Sequence, residues 1–227
     1  MTGIANLLCL FVLFQNSLFI FFYLMLFSWS YTAYSKTSFR YYFFVADKKL
    51  MKEIVGHTIH HGVMMHGTRP PETPLEELDN QIIMLDLNNV GTIARSAAAL
   101  GINSLLVPSK GPHPYGRRAL RVSMRHVSKL KIHAYDDIFE TLKILQKNGY
   151  KIFAAEITKE AIPLQDIKVP KKWVILMGDE AHGISKEILD ACDEVVKIEM
   201  SEDVKSFNVA TAASILMYQF KFFIDSN

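Results

Sequence analysis

The sequence contains no Gly-x-Gly triplet and no Gly-x-x-x-x-Gly-Lys loop. The first absence excludes the glycine-rich fingerprint of dinucleotide-binding folds, and the second excludes a Walker phosphate-binding loop. Cysteine is also scarce, with only Cys9 and Cys192, and there is no Asn-x-Ser/Thr acceptor for N-glycosylation. We therefore predict a cytoplasmic protein with reduced thiols. A nucleotide-like cofactor would have to be bound by another architecture.

Charge is missing from two stretches of the chain. Residues 1–35 contain no charged side chain, and no acid occurs between Asp86 and Asp136. A positive patch without compensating acids, in a chain of net charge only +2, indicates a surface that binds a nucleic-acid backbone. The alternative interpretation is a basic face that is only solvated. The acid-free window holds eight basic residues: Arg95, Lys110, Arg117, Arg118, Arg121, Arg125, Lys129 and Lys131.

The charge-free N-terminal stretch has two interpretations. Leu7–Phe27 is long enough to span a bilayer as a helix, and Lys36 and Arg40 after it would keep the remainder on the cytoplasmic side. The segment lacks the basic start and small-residue cleavage site of a signal peptide. The abrupt change of composition near Phe44 favours the alternative, in which residues 1–43 are a non-native extension.

The rest of the chain predicts a helix over 46–66, a proline-rich linker over 67–77 and then an α/β domain. Alternation of strands and helices of this length predicts a parallel sheet, with a site at the carboxyl ends of its strands. The predicted strands are Gln81–Leu87, Ser104–Val107, Ile132–Tyr135, Lys151–Ala155, Trp173–Met177 and Val195–Glu199. The predicted helices are Val90–Leu100, Asp136–Asn148 with Asp136 as its cap, Ser185–Ala191 and a last helix from about Phe207.

Three of these strand ends lead into polar, glycine-bearing or serine-bearing turns where a ligand could approach the backbone. Each one has a simple structural explanation as well: a turn, a tight loop or, at Ser206, a helix cap. The first motif contains Asn89, Gly91 and Arg95, and the second contains Gly178, Glu180 and Gly183. The third contains Ile198, Met200, Ser206, Phe207, Asn208 and Val209.

In this order and spacing, the three motifs resemble those of the SpoU-type branch of the SPOUT superfamily of RNA methyltransferases. That family has Asn-x-Gly with an Arg four residues after the Gly, then Gly-x-Glu-x-x-Gly, then Ile-Pro-Met with a downstream Ser-Leu-Asn-Val. The resemblance covers about residues 78–222. Glu199 stands in place of the family's proline, and Phe207 in place of its leucine.

The resemblance implies an α/β methyltransferase domain over residues 78–227, with a parallel sheet and a carboxyl-terminal trefoil knot. It also implies a homodimer, and it makes residues 44–66 a truncated remnant of an RNA-binding domain. The expected substrate is rRNA or tRNA, contacted by Arg117, Arg118, Arg121 and Arg125. The implied cofactor is S-adenosyl-L-methionine (SAM), bound around Met177, Gly178, Ile198, Met200, Ser206 and Phe207.

The implied reaction moves a methyl group to a ribose 2′-hydroxyl. A guanidinium is not deprotonated in proteins, so we expect Arg95 to orient a phosphate and stabilise alkoxide charge instead of acting as a base. Asn89 and Asn208 would position the ribose or Arg95, and Glu180 would orient a loop or hold a cation. The alternatives are a non-catalytic RNA-binding paralogue, against which Arg95 and Asn208 argue, and a membrane protein with a bystander soluble part.

A cluster of histidines invites a metal site, but no cysteine or carboxylate completes a set with ligand spacing. We therefore expect no metal, and we expect histidines that are solvated or face RNA. The four residues are His57, His60, His61 and His66.

Overall fold

Backbone contacts divide the computed structural model into two units, Met1–Pro70 and Pro71–Asn227. The structure describes residues 7–12, 40–45, 48–56, 63–66, 69–86, 89–179, 182–201, 203 and 206–223.

The first unit contains a three-stranded sheet in the order β2-β1-β3, in which β1 is parallel to β2 and antiparallel to β3. Its elements are β1 (Leu7–Val12), β2 (Arg40–Val45), α1 (Lys48–Val55) and β3 (Val63–His66). The single helix predicted over 46–66 is therefore wrong in extent. It ends at Val55, Gly56 follows with a φ of 75°, and Val63–His66 is a strand.

The transmembrane interpretation of Leu7–Phe27 is wrong for Leu7–Val12, whose backbone pairs as a β-strand. Residues 13–27 lie outside the described residues. Within the part of the chain that the structure describes, no helix combines the length and the apolar character needed to cross a membrane.

The second unit is built on a seven-stranded sheet in the order β6-β5-β4-β9-β7-β10-β8, and its strand pairs are parallel. The central strands are continuous apolar runs, as expected for a sheet covered on both faces. The strands are β4 (Gln81–Leu85), β5 (Ser104–Pro108), β6 (Lys131–Tyr135), β7 (Lys151–Ala155), β8 (Ile162–Pro163), β9 (Trp173–Met177) and β10 (Glu194–Lys197).

Helices cover both faces of this sheet. Side chains of α2 and α6 share a core with Ile83 and Ile175 on one face, whereas α4 and α5 pack with Ile82 and Val174 on the other. The helices are α2 (Val90–Ala99), α3 (Arg117–Val122), α4 (Ile138–Lys147), α5 (Lys186–Ala191) and α6 (Val209–Phe222). Short 3₁₀ turns occupy Leu75–Glu77, His126–Lys129 and Leu164–Asp166.

An aromatic cluster fixes α6 to the middle of the sheet. The Phe220 ring meets Phe153 of β7 edge-on at 4.8 Å and Trp173 of β9 at 5.4 Å, measured between ring centroids. All three side chains are fully buried. Burial of each aromatic ring contributes on the order of 2–3 kcal/mol, so this cluster is a main attachment of the last helix.

The predicted parallel α/β sheet is confirmed, and the strands Lys151–Ala155 and Trp173–Met177 have the predicted bounds. Two short elements, α3 and β8, were not predicted from the sequence.

The predicted cap of α4 is also wrong. Asp137, not Asp136, caps the helix, because its Oδ1 accepts a hydrogen bond from the Glu140 backbone N at 3.0 Å. Asp136 instead accepts one from the Ser109 hydroxyl.

Removing the cap should destabilise the second unit. We expect Asp137→Ala to lower the free energy of unfolding by about 1 kcal/mol, because the Glu140 backbone N–H loses its acceptor. Urea denaturation measures this change. Glu160→Ala, at an exposed acid outside any helix, is the control and should change stability by less than about 0.5 kcal/mol. Equal losses for the two variants would contradict the assignment of the cap.

Candidate active site

A cavity of about 670 Å³ opens at the carboxyl edge of the seven-stranded sheet. Its lining includes the last residues of three neighbouring strands: Ala155 of β7, Met177 of β9 and Lys197 of β10. Because the strands are parallel, the loops that follow them meet at this same edge. The edge is where ligand sites form in open α/β sheets.

All six residues predicted to bind the cofactor line this cavity. The sheet brings the second motif, which follows β9, next to the third motif, which connects β10 to α6. The lining residues concerned are Met177, Gly178, Ile198, Met200, Ser206 and Phe207. Phe207 is 40% exposed, so part of its side chain is available to a ligand.

Asn208 also lines the cavity, and it begins α6. Its side-chain oxygen accepts a hydrogen bond from the Ala210 backbone N at 3.0 Å. The helix cap is therefore Asn208, and the capping role considered for Ser206 is wrong. The cap fixes the amide group at the mouth of the cavity.

Two glycines allow the loop after β9 to fold back on itself. A Cβ atom at Gly178 would lie 2.5 Å from Ile184 Cγ1 and 2.7 Å from the Gly183 carbonyl carbon. Gly183 has a φ of 66°, which disfavours any side chain there. Within this loop, Asp179 Oδ1 accepts hydrogen bonds from the His182 backbone N at 3.3 Å and from its Nδ1 at 3.1 Å. Glu180 lies outside the described residues.

Three charged side chains line the cavity that were not predicted as site residues: Glu156, Asp179 and Lys197. Glu156 directly follows β7, and its carboxylate accepts hydrogen bonds from two backbone amides. The signal for this residue in the sequence was weak. A polar residue at the end of a buried strand marks the correct edge of the sheet, but it does not identify the partner amides.

The first motif lies beside the cavity and not in its lining. Its strand, β4, is paired with β9, and the Asp86 backbone N donates to the Met177 carbonyl at 3.0 Å. Asn89 starts α2 without using its side chain as a cap, and Arg95 is exposed one turn later. The adjacent Ser96 hydroxyl accepts a hydrogen bond from Ser214 of α6 at 2.9 Å, which ties the two helices together.

Gly91 of this motif serves helix packing. A Cβ atom there would lie 2.8 Å from Ala119 Cα and 2.9 Å from the Ala119 carbonyl oxygen, both in the backbone of α3. The close approach that the sequence suggested for a ligand is thus made by another helix.

The predicted RNA-binding arginines form one exposed basic surface. Arg117, Arg118 and Arg121 lie on α3, and Arg125 follows in the left-handed region with a φ of 66°. A second, open cavity of about 570 Å³ is lined by Arg121, Arg125 and Lys129, among others. Lys131 is used differently, because its Nζ pairs with Asp79 Oδ1 at 2.6 Å.

The described residues contain little that could serve as a thiol or metal centre. Burial, with a smaller contribution from Asp193, raises the pKa of the Cys192 thiol to about 12, so this thiol stays protonated and unreactive at neutral pH. No group of three or more His, Cys, Asp or Glu side chains that could hold a metal ion occurs among the described residues. His57, His60 and His61 lie outside them.

The packing role of Gly91 can be tested by substitution. Gly91→Ala should lower the free energy of unfolding by about 1–3 kcal/mol, because α2 and α3 must move apart to admit the methyl group. Thr92→Ala, at the next and exposed position of the same helix, is the control and should change stability by less than about 0.5 kcal/mol. A stable Gly91→Ala protein in urea denaturation would show that the helices are not in close contact.

A parallel sheet with a cavity between the loops at its carboxyl edge defines an α/β ligand-binding domain. Residues 83–218 match the model of the SpoU rRNA Methylase family. This match spans more than half of the chain, and the chain belongs to that family.

Curated relatives carry related names. A protein of Staphylococcus haemolyticus named as a TrmH family tRNA/rRNA methyltransferase is 28% identical over 134 residues, which are 59% of this chain and 53% of that protein. An uncharacterized tRNA/rRNA methyltransferase of Mycobacterium bovis is 27% identical over 187 residues, covering 78% of this chain and 65% of that protein. The chain thus spans about half the length of the first of these relatives.

Solved structures share the fold. The AdoMet-bound rRNA methyltransferase from Sinorhizobium meliloti superposes with a TM-score of 0.76 at 18% identity, covering 96% of this chain and 80% of that one. The SpoU methyltransferase AviRb from Streptomyces viridochromogenes, in complex with AdoMet, gives a TM-score of 0.70 at 17% identity, covering 94% and 81%. At these identities, the likeness concerns the fold alone.

Proposed function

We propose that this chain transfers the methyl group of SAM to a ribose 2′-hydroxyl of structured RNA, either rRNA or tRNA. The observation that carries the proposal is the single cavity lined by all six predicted cofactor-binding residues. Family membership and the AdoMet-bound structures of similar fold support the same cofactor.

The cavity suits SAM in size and chemistry. Its volume of about 670 Å³ falls within the range of small-molecule sites, and both polar and apolar groups line it. Met177, Met200 and Phe207 offer apolar surface to an adenine ring. Backbone groups near Gly178 and Ile198 offer hydrogen bonds.

A hydrogen bond anchors the loop after β10 at Glu199, the residue that replaces the family's proline. Gln165 Nε2 donates a hydrogen bond to Glu199 Oε2 at 2.6 Å, which links this loop to the 3₁₀ turn after β8. Ile198 and Met200, on either side of Glu199, both line the cavity. This observation supports an enzyme over a paralogue that has lost its cofactor.

The reaction requires an activated hydroxyl and an electrophilic methyl group. Bound SAM supplies the methyl group on a sulfonium. Arg95, exposed on α2, orients an RNA phosphate and stabilises the negative charge that develops on the 2′-oxygen. Asn89 and Asn208 position the ribose, and Glu180 orients the loop after β9. The basic surface of Arg117, Arg118, Arg121 and Arg125 holds the RNA backbone.

The proposal includes a trefoil knot at the carboxyl end and a homodimer. Two features support the knot. In the sheet, β7 separates β10 from β9. The helix that follows β10, α6, nevertheless returns to pack on β9 and α2. For the dimer, α6 exposes Tyr218 and Phe222, whose rings lie 5.0 Å apart, and a second copy would cover them.

For the first unit, we propose a role in substrate selection, carried by residues 44–66 as part of an RNA-binding domain. Residues 67–77 would then be the linker to the catalytic domain over 78–227. Residues 1–43 contribute β1, the central strand of the first unit's sheet, and most of β2, so the predicted boundary at residue 43 divides that sheet. Since tRNA and rRNA are the proposed substrates, the cytoplasm is the proposed location.

Arg95→Ala tests the division of labour between catalysis and cofactor binding. The full chain should bind SAM in calorimetry with EDTA present, and the variant should bind it within about twofold, because Arg95 does not line the cavity. Methyl transfer from labelled SAM to rRNA or tRNA should fall at least about 100-fold. Lys143→Ala, an exposed cation of α4, should affect neither quantity. A SAM affinity that falls in step with activity would refute the role of Arg95.

A triple variant tests the RNA surface. Replacing Arg117, Arg118 and Arg121 by Gln should weaken RNA binding and reduce the slope of log K against log salt by about two, since about 0.7–0.9 is lost per phosphate contact. The control replaces three exposed lysines, Lys143, Lys147 and Lys186, which carry the same charge on α4 and α5. A salt slope that is unchanged in the arginine variant would remove α3 from the RNA interface.

A further inference from the structure

Glu156 occupies a position in the cavity that the three motifs do not account for. It follows the last residue of β7, and both of its carboxylate oxygens bind backbone amides. Oε1 accepts a hydrogen bond from the Ile157 N at 3.0 Å, and Oε2 accepts one from the Ile184 N at 2.9 Å. The second bond crosses from the loop after β7 to the loop after β9, so Glu156 joins two walls of the cavity.

The chain is shaped to admit this carboxylate. Gly183 adopts a φ of 66°, and a Cβ atom there would collide with Glu156 Oε2. The loop after β9 therefore approaches the carboxylate through a residue without a side chain. The Ile184 backbone N–H holds Glu156 on one side, and the backbone N–H of its own neighbour, Ile157, holds it on the other.

The carboxylate retains unused capacity for hydrogen bonds. An ionised carboxylate offers about four acceptor positions, and the two amides fill two of them. Among the described residues no cation pairs with Glu156, although Lys197 lines the same cavity. A carboxylate with free acceptor positions at a ligand cavity selects for hydroxyl or ammonium donors.

We infer that Glu156 is a cofactor-recognition residue, which accepts hydrogen bonds from donor groups of the nucleoside cofactor while it fixes the loop after β9. This inference rests on the proposed function, since it takes SAM as the occupant of the cavity. Two parts of SAM carry suitable donors: the ribose hydroxyls and the ammonium of the methionine part. Both parts present hydrogen-bond donors, and Glu156 recognises such a donor with its carboxylate.

The test compares three probes on the full chain: S-adenosylhomocysteine, 5′-methylthioadenosine and adenine. Glu156→Gln keeps the size of the side chain, removes its charge and replaces one acceptor by a donor. We expect S-adenosylhomocysteine to bind the variant about tenfold more weakly in calorimetry. If the ribose is the partner, 5′-methylthioadenosine loses as much affinity; if the ammonium is the partner, it loses none. Adenine, followed by ligand-observed NMR, should bind both proteins equally.

A control at a neighbouring acid separates the charge change from its position. Glu160→Gln makes the same change at an exposed position of the same loop, outside the cavity lining, and should leave all three affinities unchanged.

The outcomes distinguish this inference from the proposed function. Wild-type protein that binds no nucleoside probe would overturn both. Wild-type binding with unchanged affinity in Glu156→Gln would overturn the inference alone. An equal loss of affinity for adenine would show that Glu156 only shapes the cavity wall, and this result also rejects recognition.

Discussion

The attachment of α6 to the centre of the sheet is the contact on which the site depends. Phe220 is packed against Phe153 and Trp173, so the last helix must lie over β7 and β9 although the strand before it, β10, is beyond β7. The loop between β10 and α6 has to return across the carboxyl edge to make this possible. That loop carries Ile198, Met200 and Phe207, and it forms one wall of the cavity.

Each of the three glycines in the family motifs has a different role. Gly91 permits contact between α2 and α3, whereas Gly178 lets the loop after β9 fold back on Ile184. Gly183 adopts a left-handed backbone and makes room for the Glu156 carboxylate. A pattern of glycines in a sequence indicates close approach, but only the fold shows whether the neighbour is a helix, a loop or a side chain.

The sequence predicted those parts of the structure that depend on local pattern. Strands β7 and β9 had the predicted bounds because both faces are buried and their apolar runs end sharply. The cofactor-binding residues came from motif resemblance, and one cavity unites them. Glu156 was missed because its partner Ile184 lies 28 residues later, in the loop after the neighbouring strand β9. The cap at Asp137 was misplaced because two adjacent aspartates satisfy the same pattern. The first unit was predicted least well, since its strands pair over long stretches of sequence that no local pattern reveals.

The position of β9 has a consequence for how the chain folds. This strand lies between β4 and β7, and its pairing with β4 joins residues about ninety positions apart in the sequence. Loop closure over such distances slows folding, so parallel sheets with central late strands fold slowly. During synthesis, β4 and β7 each have an unpaired, apolar edge until residue 177 has left the ribosome. The newly made chain is therefore prone to aggregate in that interval, and its yield in cells depends on how quickly the central strand is inserted.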